Sequence, residues 1–236
     1  MSGPERSLAD AAAEAANCTK CRLAQGRTQV VFGVGDPDAD LMFIGEAPGF
    51  HEDKQGEPFV GAAGQLLTRM LGEIGLSRDE VYIGNVIKCR PPGNRDPLPE
   101  EIEACTPWLV EQVSLIQPRV IVTLGNFATK FVLDTTVGIT RLRGQVHDWH
   151  GRTVIPTFHP AAILHGGGEK SRQFQLLRED FGLVQRTLAG RTQPVAATEP
   201  EPVSVPDASM APGEIARLRI VPEPPPDPGV DQLELF

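Results

Sequence analysis

Four short apolar runs recur in the first 190 residues, at 41–44, 81–87, 120–124 and 154–158, and each gives way to a glycine or a polar residue. Runs of this length, apolar at nearly every position, suit strands buried on both faces. The stretches around and between them have helical character. Residues 7–16 read as a short Ala-rich helix with Ser7 as its N-cap. Residues 62–74 place Leu66, Leu67, Met70, Leu71 and Ile74 near helical spacing, with Gly75 as a stop. Residues 99–115 and 171–188 read as two further helices. Strands alternating with helices predict a three-layer α-β-α domain around a central, mainly parallel four-stranded sheet. Ligands of such sheets bind beyond the carboxyl ends of the strands. The polar, glycine-bearing segments here follow strand ends: Gly45 to Gly49, Asn85, Gly125-Asn126 and His159-Pro160.

The charge balance constrains partners. With 22 Lys plus Arg against 31 Asp plus Glu the chain carries −9, which gives no general attraction to phosphate. The charge is unevenly spread. Residues 191–236 hold 3 basic and 8 acidic residues, net −5, together with 10 of the 22 prolines and the single aromatic Phe236. That composition reads as an acidic Pro-rich linker over 191–231. The remaining −4 over residues 1–190 leaves room for a local basic rim. No apolar run is long enough to span a membrane, and no signal peptide is visible at the N-terminus. A monomeric, cytoplasmic protein is expected.

The four cysteines all lie in the first half of the chain: Cys18 and Cys21 as a CxxC pair, then Cys89 and Cys105. In a reducing compartment such a set points to metal ligands or free thiols rather than disulfides. Four thiolates suit tetrahedral zinc or an iron–sulfur cluster. A zinc ribbon ordinarily has two CxxC knuckles. One knuckle and one wide pair tilt the reading toward a [4Fe–4S] cluster.

Three strand-end residues stand out chemically. Phe59 lies in a glycine-bounded loop, Gly56-Glu57-Pro58-Phe59-Val60-Gly61-Ala62-Ala63-Gly64. There it is either core packing or a platform for a planar ligand. Asn85 interrupts an apolar strand, and its amide either bonds nearby backbone or pairs with a donor and an acceptor on one edge of a base. His159 closes the fourth strand beside the glycine-rich loops.

Taken together, Gly45-Glu46-Ala47-Pro48-Gly49, Glu52-Asp53 and Gly56-Glu57-Pro58-Phe59-Val60-Gly61 resemble motif A of the family 4 uracil-DNA glycosylases. Asn85-Val86-Ile87-Lys88-Cys89-Arg90-Pro91-Pro92-Gly93-Asn94-Arg95 and residues 100–105 resemble that family's central block, and His159-Pro160-Ala161-Ala162-Ile163-Leu164 its motif B. The likeness runs over about residues 15–185. It implies the uracil-DNA glycosylase-like fold, excision of uracil from DNA in base-excision repair, and a structural [4Fe–4S] cluster on Cys18, Cys21, Cys89 and Cys105. A flipped uracil would stack on Phe59 and pair its O4 and N3–H with Asn85. His159 would stabilise charge at uracil O2, with backbone amides near Glu46 and Ala47 helping, and Glu52 would sit beside C5 and exclude thymine. Leu164 would wedge into the emptied base stack. Ala47 stands where better-known uracil glycosylases carry a water-positioning Asp, so Glu46 and backbone are left to hold the water. Relatives that trap uracil-DNA covalently carry a His-containing insertion after the third cysteine; residues 90–97 here have neither, so turnover without a lyase step is expected.

Lys88, Arg90 and Arg95, with Arg141, Arg143, Lys170 and Arg172 around the last motif, are candidates for a phosphate-binding rim. The chain ends in Gln232-Leu233-Glu234-Leu235-Phe236, which resembles the bacterial sliding-clamp-binding pentapeptide. Gln232, Leu233, Leu235 and Phe236 would be its contact residues and the linker its tether. This implies a bacterial, nucleoid-associated setting. The rival reading is a uracil-DNA-binding protein with a cluster or zinc that does not turn over, either non-catalytic or covalently trapping.

Overall fold

The computed structural model describes residues 6–190. The linker 191–231 and the peptide 232–236 lie outside the described residues. Six strands form one sheet: β1 (Val34–Gly35), β2 (Leu41–Gly45), β3 (Tyr82–Asn85), β4 (Val120–Leu124), β5 (His147–Trp149) and β6 (Arg152–Thr157). Their order is β1-β3-β2-β4-β6-β5. The inner four strands are parallel, and the two outer strands pair antiparallel. The four-stranded expectation thus describes the inner sheet, and two short edges enlarge it. Those edges carry no sequence signal because they have two and three residues, none of them buried.

Alternation along the strands feeds two cores. Leu41, Phe43, Ile83, Val120 and Val122 face one cluster with Leu67, Met70 and Phe181. Met42, Ile44, Tyr82 and Ile121 face the other, with Ala11, Ala15, Trp108 and Leu109. Side chains one apart on a strand point to opposite faces, so continuous apolar runs satisfy both layers. α3 (Ala62–Glu73) and α8 (Arg172–Leu188) cover the first face; α1 (Leu8–Ala16) and α4 (Pro99–Ile116) cover the second.

Local signals set the helix ends. Ser7 accepts a hydrogen bond from the Asp10 amide, and Asp10 reciprocates in a capping box. Ser171 caps α8 through the Phe174 amide at 3.2 Å. The second apolar run is shorter as a strand than as a sequence pattern. β3 stops at Asn85, while Val86 and Ile87 stay buried and donate to the carbonyls of Gly45 and Glu46, 2.9 Å each. Four short helices at strand ends complete the domain: α2 (Phe50–Gln55), α5 (Gly125–Leu133), α6 (Ile139–Leu142) and α7 (Pro160–His165).

From β2 the chain moves to β3 on one side, and it later returns to β4 on the other. The carboxyl ends of β2 and β4 therefore mark a switch point, where doubly wound sheets open a crevice.

Candidate active site

Asn85, Gly45, Gly125 and His159 sit at or just beyond the ends of four neighbouring parallel strands. A Cβ at Gly45 would collide with the Asn85 side-chain oxygen and would lie 2.8 Å from Phe59 Cζ. Glycine is what lets the aromatic ring and the amide meet there. Gly125 has φ +90°, and a Cβ on it would press on the His159 Cβ at 3.0 Å. The Phe59 and His159 rings lie 5.5 Å apart, centroid to centroid.

Phe59 is held in a left-handed conformation, φ +56°, a strained state for a bulky residue. Three features hold it. The Glu52 carboxylate accepts from the Val60 and Gly61 amides at 3.1 and 3.2 Å. Arg78 donates to the carbonyls of Pro58 and Phe59 at 2.8 and 3.3 Å. Gly64 gives the Phe59 carbonyl room that any Cβ would fill. Glu52 therefore staples the loop, a role the sequence did not suggest. Arg78, in the turn Arg78–Glu80, was missed altogether, since a charged residue between a helix and a strand reads as solvated.

Asn85 is 2% exposed. No protein group hydrogen-bonds its side-chain amide among the described residues, and that amide is not sealed, since no fully buried side-chain nitrogen or oxygen there lacks a partner. The amide is free to pair with a ligand. His159 Nδ1 accepts from the Ala161 amide at 3.2 Å. Burial pushes its pKa down to about 4, against a smaller opposing effect of Glu52. The imidazole is thus neutral at neutral pH. Its proton sits on Nε2, because Nδ1 is engaged as an acceptor. Glu46, half-buried beside half-buried Ala47, is pushed up to about 7 by burial, and Asp96 adds to the shift.

The pocket therefore offers an aromatic wall, a free amide, a neutral N–H donor and a carboxyl group that titrates near neutrality. That set suits a planar heterocycle with carbonyl and N–H groups on its edge, and a reaction that places negative charge on it. The Uracil DNA glycosylase superfamily model matches residues 32–182. The chain belongs to that superfamily. Within it, the chain is 51% identical over 194 residues to a type-4 uracil-DNA glycosylase of Archaeoglobus fulgidus, covering 77% of this chain and 97% of the relative. A type-4 enzyme of Sulfurisphaera tokodaii is 49% identical over 177 residues, 71% and 79% of the two chains. One of Thermotoga maritima is 50% identical over 161 residues, 67% and 84%.

The remaining sequence candidates differ in exposure and partners. Leu164 is exposed on α7, and Arg90 lies over the Phe50 ring at 5.0 Å. Arg95 is turned toward fully buried Glu101, with two contacts of 2.7 and 2.9 Å; a phosphate would have to compete with that pair. Two rim candidates are corrected. Lys88 is 1% exposed, and its ammonium donates to the Asn85 carbonyl at 2.7 Å and to Gln112. Arg143 is tied to buried Asp180. Lys88 is an interior group, and Arg143 is mostly covered and already paired. Arg141, Lys170 and Arg172 are exposed.

Cys18, Cys21, Cys89 and Cys105 line one cavity with Ala15, Leu23 and Trp108. N–H groups point at three of the sulfurs: Trp108 Nε1 at Cys18 (3.4 Å), the Lys88 amide at Cys105 (3.2 Å) and Arg27 at Cys89 (3.6 Å). Burial pushes the Cys89 and Cys105 thiols up to about 11 and about 12. Among the described residues no three His, Cys, Asp or Glu side chains are gathered tightly enough for a single metal ion. One zinc would draw four sulfurs to about 3.8 Å from each other, given Zn–S bonds of about 2.3 Å. A cavity lined by four thiols has the donor set for a thiolate-held metal centre. Lys88 fits it too, as a buried cation whose charge acts on Cys105.

Proposed function

We infer that this chain is a monofunctional uracil-DNA glycosylase that hydrolyses the bond between C1′ and N1 of deoxyuridine in DNA and leaves an abasic site. The observation that carries this reading is the arrangement of the Phe59 ring between the free Asn85 amide and neutral His159 at the carboxyl end of the sheet, in a chain whose relatives are named uracil-DNA glycosylases. The non-catalytic and covalently trapping alternatives are not favoured.

The residues divide the work. Extracting the nucleotide from its stack costs a few kcal/mol, offset in part by stacking on Phe59. Asn85 offers a donor to O4 and an acceptor to N3–H. Cytosine presents the reverse pattern and would leave both groups unpaired. As the C1′–N1 bond breaks, its electron pair goes to uracil and positive charge grows on the sugar. The His159 Nε2–H donates to O2 without giving up its proton, and one such preorganised donor contributes about 3–4 kcal/mol. Water attacks C1′, and its proton passes to the Glu46 carboxylate or to solvent. Ala47 cannot act as a base. Glu52 fills the space beside C5, while Leu164 and Arg90 contact DNA around the pocket.

Cys18, Cys21, Cys89 and Cys105 would hold a [4Fe–4S] cluster, which when bound supplies a cross-link rather than electrons. Its ligands come from the segment after α1, the segment after β3, and α4. Catalysis belongs to residues 1–190. The linker 191–231 would tether Gln232, Leu233, Leu235 and Phe236 to a bacterial sliding clamp. Deleting residues 232–236 should leave excision from a short oligonucleotide unchanged and abolish binding to the clamp; equal clamp binding would remove that role. For the activity itself, a uracil-containing strand treated with the protein should become alkali-labile at the uracil position. A protein–DNA adduct that survives denaturing gels would instead place the chain among the trapping relatives.

A further inference from the structure

Two large apolar side chains are exposed among the described residues: Leu164, 38% exposed, and Phe50, 44% exposed. Leu164 has a place in the reading above, and Phe50 does not. We propose that Phe50, with Lys54 and Arg90, forms a stacking subsite for an unpaired base next to the uracil in the substrate strand; this rests on the chain acting on DNA.

Phe50 opens α2, directly after Gly45-Glu46-Ala47-Pro48-Gly49. Two residues on, Glu52 staples that helix to the loop carrying Phe59. One rigid unit thus presents two aromatic rings. Phe59, 8% exposed, faces into the pocket, and Phe50 stands outside it. The Phe50 ring is surrounded by cations from two segments. The Lys54 ammonium lies 4.4 Å and the Arg90 guanidinium 5.0 Å from its centroid, and His51 packs edge-on at 5.4 Å. Arg90 is fixed further by donating to Asn94 at 2.7 Å.

An exposed phenylalanine between two cations matches what a nucleic-acid strand offers, a π face flanked by phosphates. A cation–π contact at an exposed site is weaker than stacking of a base on an aromatic ring. An incoming base can therefore displace the flexible Lys54 ammonium, which then reaches the adjoining phosphate. The chain's net charge makes this local pairing of ring and cations more important, because the body as a whole does not attract DNA. A base held in a duplex is already stacked and paired. The subsite therefore favours single-stranded substrate over duplex.

The test uses the full-length, metal-loaded protein and strands containing 2′-fluorodeoxyuridine, which resists cleavage, with 2-aminopurine on one side of it and then the other. Phe50→Ala should weaken single-strand binding about 5- to 20-fold, weaken duplex binding less, and abolish the quenching of 2-aminopurine at one of the two positions. Phe50→Trp should restore both readouts, and Phe50→Leu neither. At saturating protein the excision rate on ordinary deoxyuridine should stay unchanged in every variant. Equal single-strand binding by Phe50→Ala and the parent, or full rescue by leucine, would overturn the proposal. Failure to release uracil, with Phe50-dependent binding intact, would sink the activity and leave the subsite standing.

Discussion

The strand-end pocket and the cysteine cavity lie on opposite faces of one sheet and are built in opposite ways. Phe59 belongs to the core layer under α3 and α8; Cys89, Cys105 and Trp108 belong to the layer under α1 and α4. The pocket is assembled by the sheet itself. Strand ends place Asn85 and His159, glycines clear the space between side chains, and hydrogen bonds from Arg78 and to Glu52 fix the aromatic wall. The cavity is held more loosely, by single N–H contacts to three of its four sulfurs. Its cysteines come from three separate segments, and each buried thiol on its own prefers to keep its proton. The two regions meet at the end of β3, where Asn85, Lys88 and Cys89 follow within five residues. Lys88 spans the junction: its ammonium reaches the Asn85 carbonyl, its amide reaches Cys105, and Gln112 ties it to Phe32 and Tyr82. The difference teaches that the pocket should survive small injuries, whereas the cavity depends on what fills it.

The largest injury that separates them is Cys105→Ser. It should abolish the brown colour of the metal-loaded protein. It should also lower Tm by about 10 °C or more, because a metal centre's binding energy contributes several kcal/mol or more to folding. A colourless variant with unchanged Tm would mean that the cavity is not a cross-link. On the other side, His159→Ala should keep colour, lower Tm by no more than a few degrees through the lost cap on the Ala161 amide, and slow excision about 10²–10³-fold. Loss of colour in that variant would show that the two regions are not separable.

Lys88→Met probes the junction. With the cavity filled by an anionic centre, removing the buried cation should lower Tm by several degrees, as does breaking a buried charge pair. In metal-free protein the same change should cost less, since the ammonium lacks a carboxylate partner there and only its bonds to the Asn85 carbonyl and Gln112 are lost. Equal effects in both states would disconnect Lys88 from the cysteines.

The smallest effect concerns Glu46. Its pKa rises in the folded chain from 4.5 to about 7, so the folded state favours the protonated group. The stability this contributes is present below about pH 4.5 and is lost as pH climbs to about 7. If the carboxylate takes the water proton, excision should rise roughly tenfold between pH 6 and 8, and Glu46→Gln should flatten that profile. His159 adds no limb there, since it stays neutral above about pH 4. A profile that keeps its slope in Glu46→Gln would assign it to another group.

Much of the pocket was legible because its residues lie in short motifs at strand ends, where the topology alone says a ligand binds. The parallel inner sheet was legible for a similar reason: its runs are apolar on both faces. The edges β1 and β5 were not, because two or three half-exposed residues have no period to read. Lys88 looked like a surface cation because lysine at a strand end is nearly always solvated; only the tertiary fold buries it against Gln112. Arg78 reads as solvated for the same reason, and both it and the stapling Glu52 have a further one. Both act through backbone groups, which the sequence does not distinguish.

The central claim is that the Phe59–Asn85–His159 pocket releases uracil and rejects its neighbours in shape. Single-turnover reactions on matched oligonucleotides carrying uracil, thymine or cytosine at one position test it most directly. Free uracil should appear from the first, and neither thymine nor cytosine from the others over the same time. Release of thymine or cytosine at a comparable rate, or no release of uracil by the metal-loaded protein, would contradict the account.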